Sequence, residues 1–144
     1  MFKNDAVISV VDDDESVRKS LQRLLRSMGY AVMTYSCALD FLHQGALHDH
    51  GCVIMDVRMP EMNGLDLQQR LSDCGVSLPV IFITAYEDPG VREQAMQAGA
   101  VAFLQKPFSD GLLIDSIKSA FEYNSQQTGA SIGLDIGPKN MSGG

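Results

Sequence analysis

The chain has 144 residues, 45% of them hydrophobic, with a formal charge of −7. That length suits one domain able to bury most of its apolar surface. The acidic balance argues against nucleic-acid binding by this chain alone, because such affinity rests on phosphate neutralisation by Lys and Arg.

No apolar run approaches the roughly 20 residues that span a bilayer. The start, Met1-Phe2-Lys3-Asn4-Asp5, lacks the basic-then-apolar pattern of a secretory signal. Cys37, Cys52 and Cys74 are odd in number and form no CxxC. They read as reduced thiols of a cytoplasmic protein without membrane association.

The first predicted strand, Ile8-Ser9-Val10-Val11, runs into Asp12-Asp13. A helix follows, with Val17, Leu21, Leu24, Leu25 and Met28 at gaps of three and four, Glu15 and Ser16 in its first turn and Gly29 at its close. Tyr30–Tyr35 is β-rich, and Ser36 can cap a short helix whose apolar residues are Ala38, Leu39, Phe41 and Leu42. The run Cys52–Met55 ends on Asp56, and after the turn Met59–Gly64 a third helix carries Leu65, Leu67 and Leu71.

Val80-Ile81-Phe82-Ile83 ends on Thr84. A fourth helix is expected within Pro89–Gln97, with Val91, Ala95 and Met96 inward and Gly99 at its end. The fifth strand, Val101–Gln105, ends on Lys106-Pro107. Ser109 can cap a fifth helix whose apolar positions are Leu112, Leu113, Ile117, Ala120 and Phe121. Residues 125–144, rich in Gly and nearly uncharged, read as a flexible tail or linker stub. The alternation Ile132, Leu134, Ile136 is also compatible with a short added strand.

Strands of buried character alternating with helices specify an α/β fold with a parallel sheet covered on both faces. Ligands in such sheets gather beyond the carboxyl ends of the strands. There this chain carries Asp12, Asp13, Asp56, Thr84 and Lys106: carboxylates, a hydroxyl and an ammonium, the groups a phosphoryl-transfer site needs.

Four pieces, in this order at strand ends, are specific: Val11-Asp12-Asp13, Asp56-Val57-Arg58-Met59-Pro60-Glu61-Met62-Asn63-Gly64, Thr84-Ala85, and Phe103-Leu104-Gln105-Lys106-Pro107. With them the chain resembles the receiver domains of two-component response regulators, and the FixJ-like ones most. The resemblance covers about Ala6–Tyr123, so residues 1–124 are expected to be the receiver domain. It implies a doubly wound (βα)5, flavodoxin-like fold with a five-stranded parallel sheet of order 2-1-3-4-5 and helices on both faces, whose switch point lies between the first and third strands.

The resemblance also implies roles. Asp56 would be the phosphoacceptor, taking a phosphoryl group from a histidine kinase or a histidine phosphotransfer protein. Mg²⁺ would be held by Asp13 and Asp56, by Asp12 mainly through water, and by the backbone carbonyl of Arg58. Thr84 and Lys106 would share the phosphoryl charge. Thr84 and Phe103 would form the switch, Phe103 turning inward; the family often has tyrosine there, and the plainer reading of Phe103 is a core aromatic of a buried strand. Lys106-Pro107 matches a cis peptide, and Arg58 and Tyr86 sit where the family tunes the lifetime of the phosphoryl group.

Such receivers usually feed a helix-turn-helix output domain and pair through the face of the fourth helix, fifth strand and fifth helix. The expectation is a signalling switch controlling transcription through an output domain absent from these residues. Alternatives are a stand-alone receiver or phosphorelay intermediate, and a Mg²⁺-dependent aspartyl phosphatase. The phosphatase is disfavoured because Arg58 stands where its second acid belongs. Two features have plainer readings. Arg18, Lys19, Arg23 and Arg26 form a basic stripe, either a solvated face or a docking surface for the phosphoryl donor. His43, His48 and His50 fit no metal-ligand spacing and read as a polar loop.

Overall fold

The computed structural model describes residues 7–44, 51–86 and 88–133. Five strands alternate with five helices: β1 (Val7–Val11), α1 (Glu15–Ser27), β2 (Ala31–Tyr35), α2 (Ala38–Gln44), β3 (Cys52–Asp56), α3 (Gly64–Asp73), β4 (Val80–Thr84), α4 (Pro89–Gln97), β5 (Ala102–Gln105) and α5 (Asp110–Gly133). The strands form one parallel sheet in the order β2-β1-β3-β4-β5. This is the expected order.

The apolar strand runs explain the layering. Successive side chains of a strand point to opposite faces, and here both faces are covered. Val11, Val53, Met55, Phe82 and Phe103 pack with Phe41, Leu67, Leu71 and Ala95 on the α2–α3–α4 side. Ile8, Val10, Ile54, Ile81 and Ile83 pack with Leu21, Leu25, Leu113 and Ile117 on the α1–α5 side. A run that must be apolar at every position is what a strand between two helical layers requires.

Helix ends follow local chemistry. Asp14 caps α1 by accepting the Ser16 N–H at 2.8 Å, and Asn63 caps α3 by accepting that of Asp66 at 2.8 Å. Asp88 caps α4 ahead of Pro89, and Ser109 Oγ accepts the Leu112 N–H at 3.1 Å, as expected. Each satisfies backbone donors that a helix start leaves unpaired.

One expectation needs correction. Met96 is 41% exposed. It lies one residue, about 100° of helix rotation, from Ala95, which takes the core position. Of the apolar positions of α5, Leu113 is buried and Leu112 is 49% exposed. The helix α5 continues to Gly133, so Ser125–Gly133 is helical, Ile132 included. Residues 134–144 lie outside the described residues, as do His48 and His50. Among the described residues no helix is long and apolar enough to cross a membrane.

Candidate phosphoacceptor site

The chain reverses direction across the sheet between β1 and β3, which are hydrogen-bonded neighbours. Val11 lies opposite Met55, so Asp12 and Asp56 leave adjacent strand ends side by side. Asp56 is in turn opposite Ile83, and Thr84 is opposite Gln105, which brings Thr84 and Lys106 to the same edge. The ladder runs one step further through Val57 N–H to Ile83 O at 3.1 Å and Lys106 N–H to Thr84 O at 2.7 Å. Rigid strand ends thus set the positions of the polar groups.

Carboxylate oxygens of Asp12, Asp13 and Asp56 all lie within 4.8 Å of one another. Asp12 is 0% exposed and Asp56 8%, whereas Asp13 is exposed. Lys106 Nζ bridges Asp12 Oδ2 at 3.1 Å and Asp56 Oδ2 at 3.2 Å. The other oxygens accept backbone donors: Asp12 Oδ1 from Asp14 N–H at 2.9 Å and Asp56 Oδ1 from Arg58 N–H at 3.0 Å. The Lys106–Pro107 peptide is cis.

Burial pushes the Asp12 carboxyl above its ordinary range; the Asp56 charge adds to this, while the Asp14 N–H and Lys106 oppose it. Burial also disfavours the charge on Lys106, yet the bonds and charges of Asp12 and Asp56 outweigh it and hold that ammonium above its usual pKa. Lys106 therefore stays protonated at neutral pH. One ammonium facing three carboxylates leaves excess negative charge in a partly buried pocket. A hard divalent cation with a preference for oxygen ligands fits that donor set.

Thr84 stands at the same sheet edge, and its hydroxyl is engaged by the backbone of Tyr86. Its Oγ1 accepts the Tyr86 N–H at 3.2 Å and donates to the Tyr86 carbonyl at 3.3 Å. The Arg58 guanidinium lies over the Tyr86 ring at 5.0 Å, so the residues after β3 and after β4 are bridged across the rim. The Phe103 ring lies inward, 4% exposed and 6.1 Å from Phe82.

The family assignment rests on this geometry together with sequence similarity. Residues 8–118 match the family model of the response regulator receiver domain. The chain belongs to the response-regulator receiver family. This receiver is 45% identical over 123 residues to the transcriptional regulatory protein TdiR of Thauera aromatica, covering 85% of the chain and 54% of that protein. It is 39% identical over 120 residues to the transcriptional regulatory protein FixJ of Azorhizobium caulinodans, covering 83% and 57%. Among solved structures, that of the response regulator StyR superposes with a TM-score of 0.82 at 42% identity, over 90% of this chain and 65% of that one. The crystal structure of FixJ-N superposes with a TM-score of 0.78 at 39% identity, over 83% and 96%. The receiver thus spans just over half the length of the curated relatives it matches.

Receivers of this family are signalling switches of two-component systems that bind Mg²⁺ at the acidic pocket and interact with histidine kinases or phosphotransfer proteins. Two residues of this receiver's site have roles that the sequence did not report. Arg18, read as part of a basic stripe, donates Nη1 to the Asp12 carbonyl at 2.7 Å and so braces the β1–α1 loop. Gly64, read as a turn residue, packs against the Asp56 backbone: a Cβ there would lie 2.6 Å from the Asp56 carbonyl oxygen. Both partners are backbone atoms, which no side-chain motif reports.

Proposed function

We propose that this receiver is a cytoplasmic phosphoacceptor switch that takes a phosphoryl group onto Asp56 from a phosphohistidine of a histidine kinase or phosphotransfer protein. One observation carries the reading: the Asp56 carboxylate is held at a strand end by Lys106 and the Arg58 N–H, with Asp12 and Asp13 beside it.

An Asp56 oxygen attacks phosphorus, the P–N bond breaks, and its electron pair returns to the donor imidazole. Transfers of this kind depend mainly on positioning and charge stabilisation. A Mg²⁺ held by Asp12, Asp13, Asp56 and the Arg58 carbonyl would supply charge neutralisation at the acids and the phosphoryl oxygens. Lys106, already bonded to Asp56 Oδ2, needs only a small shift to bond a phosphoryl oxygen. Thr84 reaches the same group by exchanging its two bonds to the Tyr86 peptide for one to a charged acceptor, which is the stronger kind. That exchange biases the β4–α4 loop between two packings.

Downstream, the similarity to transcriptional regulators supports control of transcription through an output domain; phosphorylated copies pair, on this proposal, through the α4–β5–α5 face. The test is incubation with Mg²⁺ and a small acyl phosphate, read by intact mass. The wild type gains one phosphoryl mass; Asp56→Asn gains none. Equal labelling of the two proteins would reject Asp56 as acceptor.

A further inference from the structure

Of the described helices, α4 has the least apolar anchorage. Ala95 is its one buried residue, and Met96 faces out. Two polar side chains hold it instead, and both grip backbone carbonyls. Gln68, buried on α3, donates Nε2 to the Ala95 carbonyl at 3.3 Å. Arg92, on α4, donates Nη2 to the Phe103 carbonyl of β5 at 3.0 Å. The same guanidinium sits 5.3 Å from the centre of the Phe103 ring. A planar guanidinium can donate from its edge and cover a ring with its face at once; alanine can do neither.

The state of Phe103 gives this contact its meaning. The ring lies inward although the Thr84 hydroxyl is still turned onto the Tyr86 peptide. Thr84 alone therefore does not decide where the ring sits. Arg92 covers it from the α4 side, and Arg92 also lines, with Met96 and Leu112, the groove between α4, β5 and α5.

We propose that Arg92 is a positioning residue that pins α4 to β5 and transmits movement at Phe103 to the α4–β5–α5 face. Any displacement of the ring or of the Phe103 carbonyl must either break the Arg92 contacts or carry α4 along. Because little apolar surface resists, the helix follows. The transmission half of this inference rests on the phosphoacceptor reading above; the pin itself does not.

Hydrogen–deuterium exchange on the whole chain tests both halves, with thermal unfolding as a check that each variant folds. Without ligand, Arg92→Ala should raise exchange of the α4 amides about tenfold, the loss expected for a hydrogen bond from a charged donor. Glu93→Ala, which removes only an exposed contact to Gln97, should match the wild type. Adding Mg²⁺ and beryllofluoride should alter α4 exchange in the wild type and leave Arg92→Ala unchanged. If Arg92→Ala unfolds, Arg92→Gln replaces it, with an expected effect of the same sign but smaller. Wild-type exchange in the ligand-free Arg92 variant, or an equal effect from Glu93→Ala, overturns the pin. A wild type that ignores beryllofluoride while the ligand-free difference persists overturns the phosphoacceptor reading and leaves the pin standing.

Discussion

Gly64→Ala lowers stability by about 3 kcal/mol, the upper end for an overpacked site. Gly64 opens α3 and is buried, its N–H bonded to the Val57 carbonyl at 2.8 Å. An added Cβ would lie 2.6 Å from the Asp56 carbonyl oxygen, 2.8 Å from Phe82 Cε1 and 3.2 Å from Val57 Cα. Two of these neighbours are backbone atoms at the end of a central strand, and the third belongs to a core ring with 0% exposure. None is the free end of a flexible side chain, so relief requires moving the strand end that presents Asp56. The substitution should therefore lower the rate of labelling by acyl phosphate as well as the stability. Urea unfolding gives the first quantity, with a lower midpoint and an unchanged slope. A loss under about 0.5 kcal/mol, in the range of ordinary surface substitutions, would show that the close approach does not constrain the site.

Asp12→Asn acts in the opposite direction: in EDTA at pH 7 the variant should be more stable than the wild type by about 1–2 kcal/mol, the usual gain when a functional compromise is relieved. Burial chiefly, with the Asp56 charge, holds the native Asp12 carboxyl above the ordinary 3.8. A group whose pKa is raised by folding contributes stability below its unfolded value and loses it as pH rises through the native value. Ionised Asp12 is thus a burden at neutral pH, and the advantage of Asn should shrink to nothing as pH falls to about 3.8. Lys106 keeps its bond to Asp56 Oδ2, so the variant does not strand an unpaired ammonium. With Mg²⁺ at a hundredfold excess over its dissociation constant the wild type should gain about 2.7 kcal/mol by linkage, and the variant less, which reverses the order. Paired unfolding curves across pH, with and without Mg²⁺, measure all of this. A variant less stable than wild type in EDTA at every pH would sink the argument.

These two residues divide differently between sequence and structure. Asp12 was legible as a site residue because it ends an apolar run, and parallel sheets collect ligands at such ends. Its burial was not legible, since Asp13, its neighbour of the same type, is exposed. Gly64 was visible as a turn residue, but its contact with Asp56 spans two elements. Arg92 carried no motif at all: its partner is a carbonyl and a ring eleven residues away, on another element. Met96 was misplaced because a short helix such as α4 leaves the apolar stripe ambiguous by one position.

The sequence by itself determined the alternation of strands and helices, the double-sided covering of the sheet, and the identity of the acids, hydroxyl and ammonium at the strand ends. Those follow from local periodicity and from where each apolar run stops, which are properties of neighbouring residues. Only the tertiary structure decided which carboxylate is buried, that Thr84 is turned onto the Tyr86 peptide, that Phe103 already lies inward, and that Arg18 and Arg92 grip backbone carbonyls. Each of these depends on strand register and helix placement, which bring together groups far apart in the chain whose interaction leaves no periodic trace.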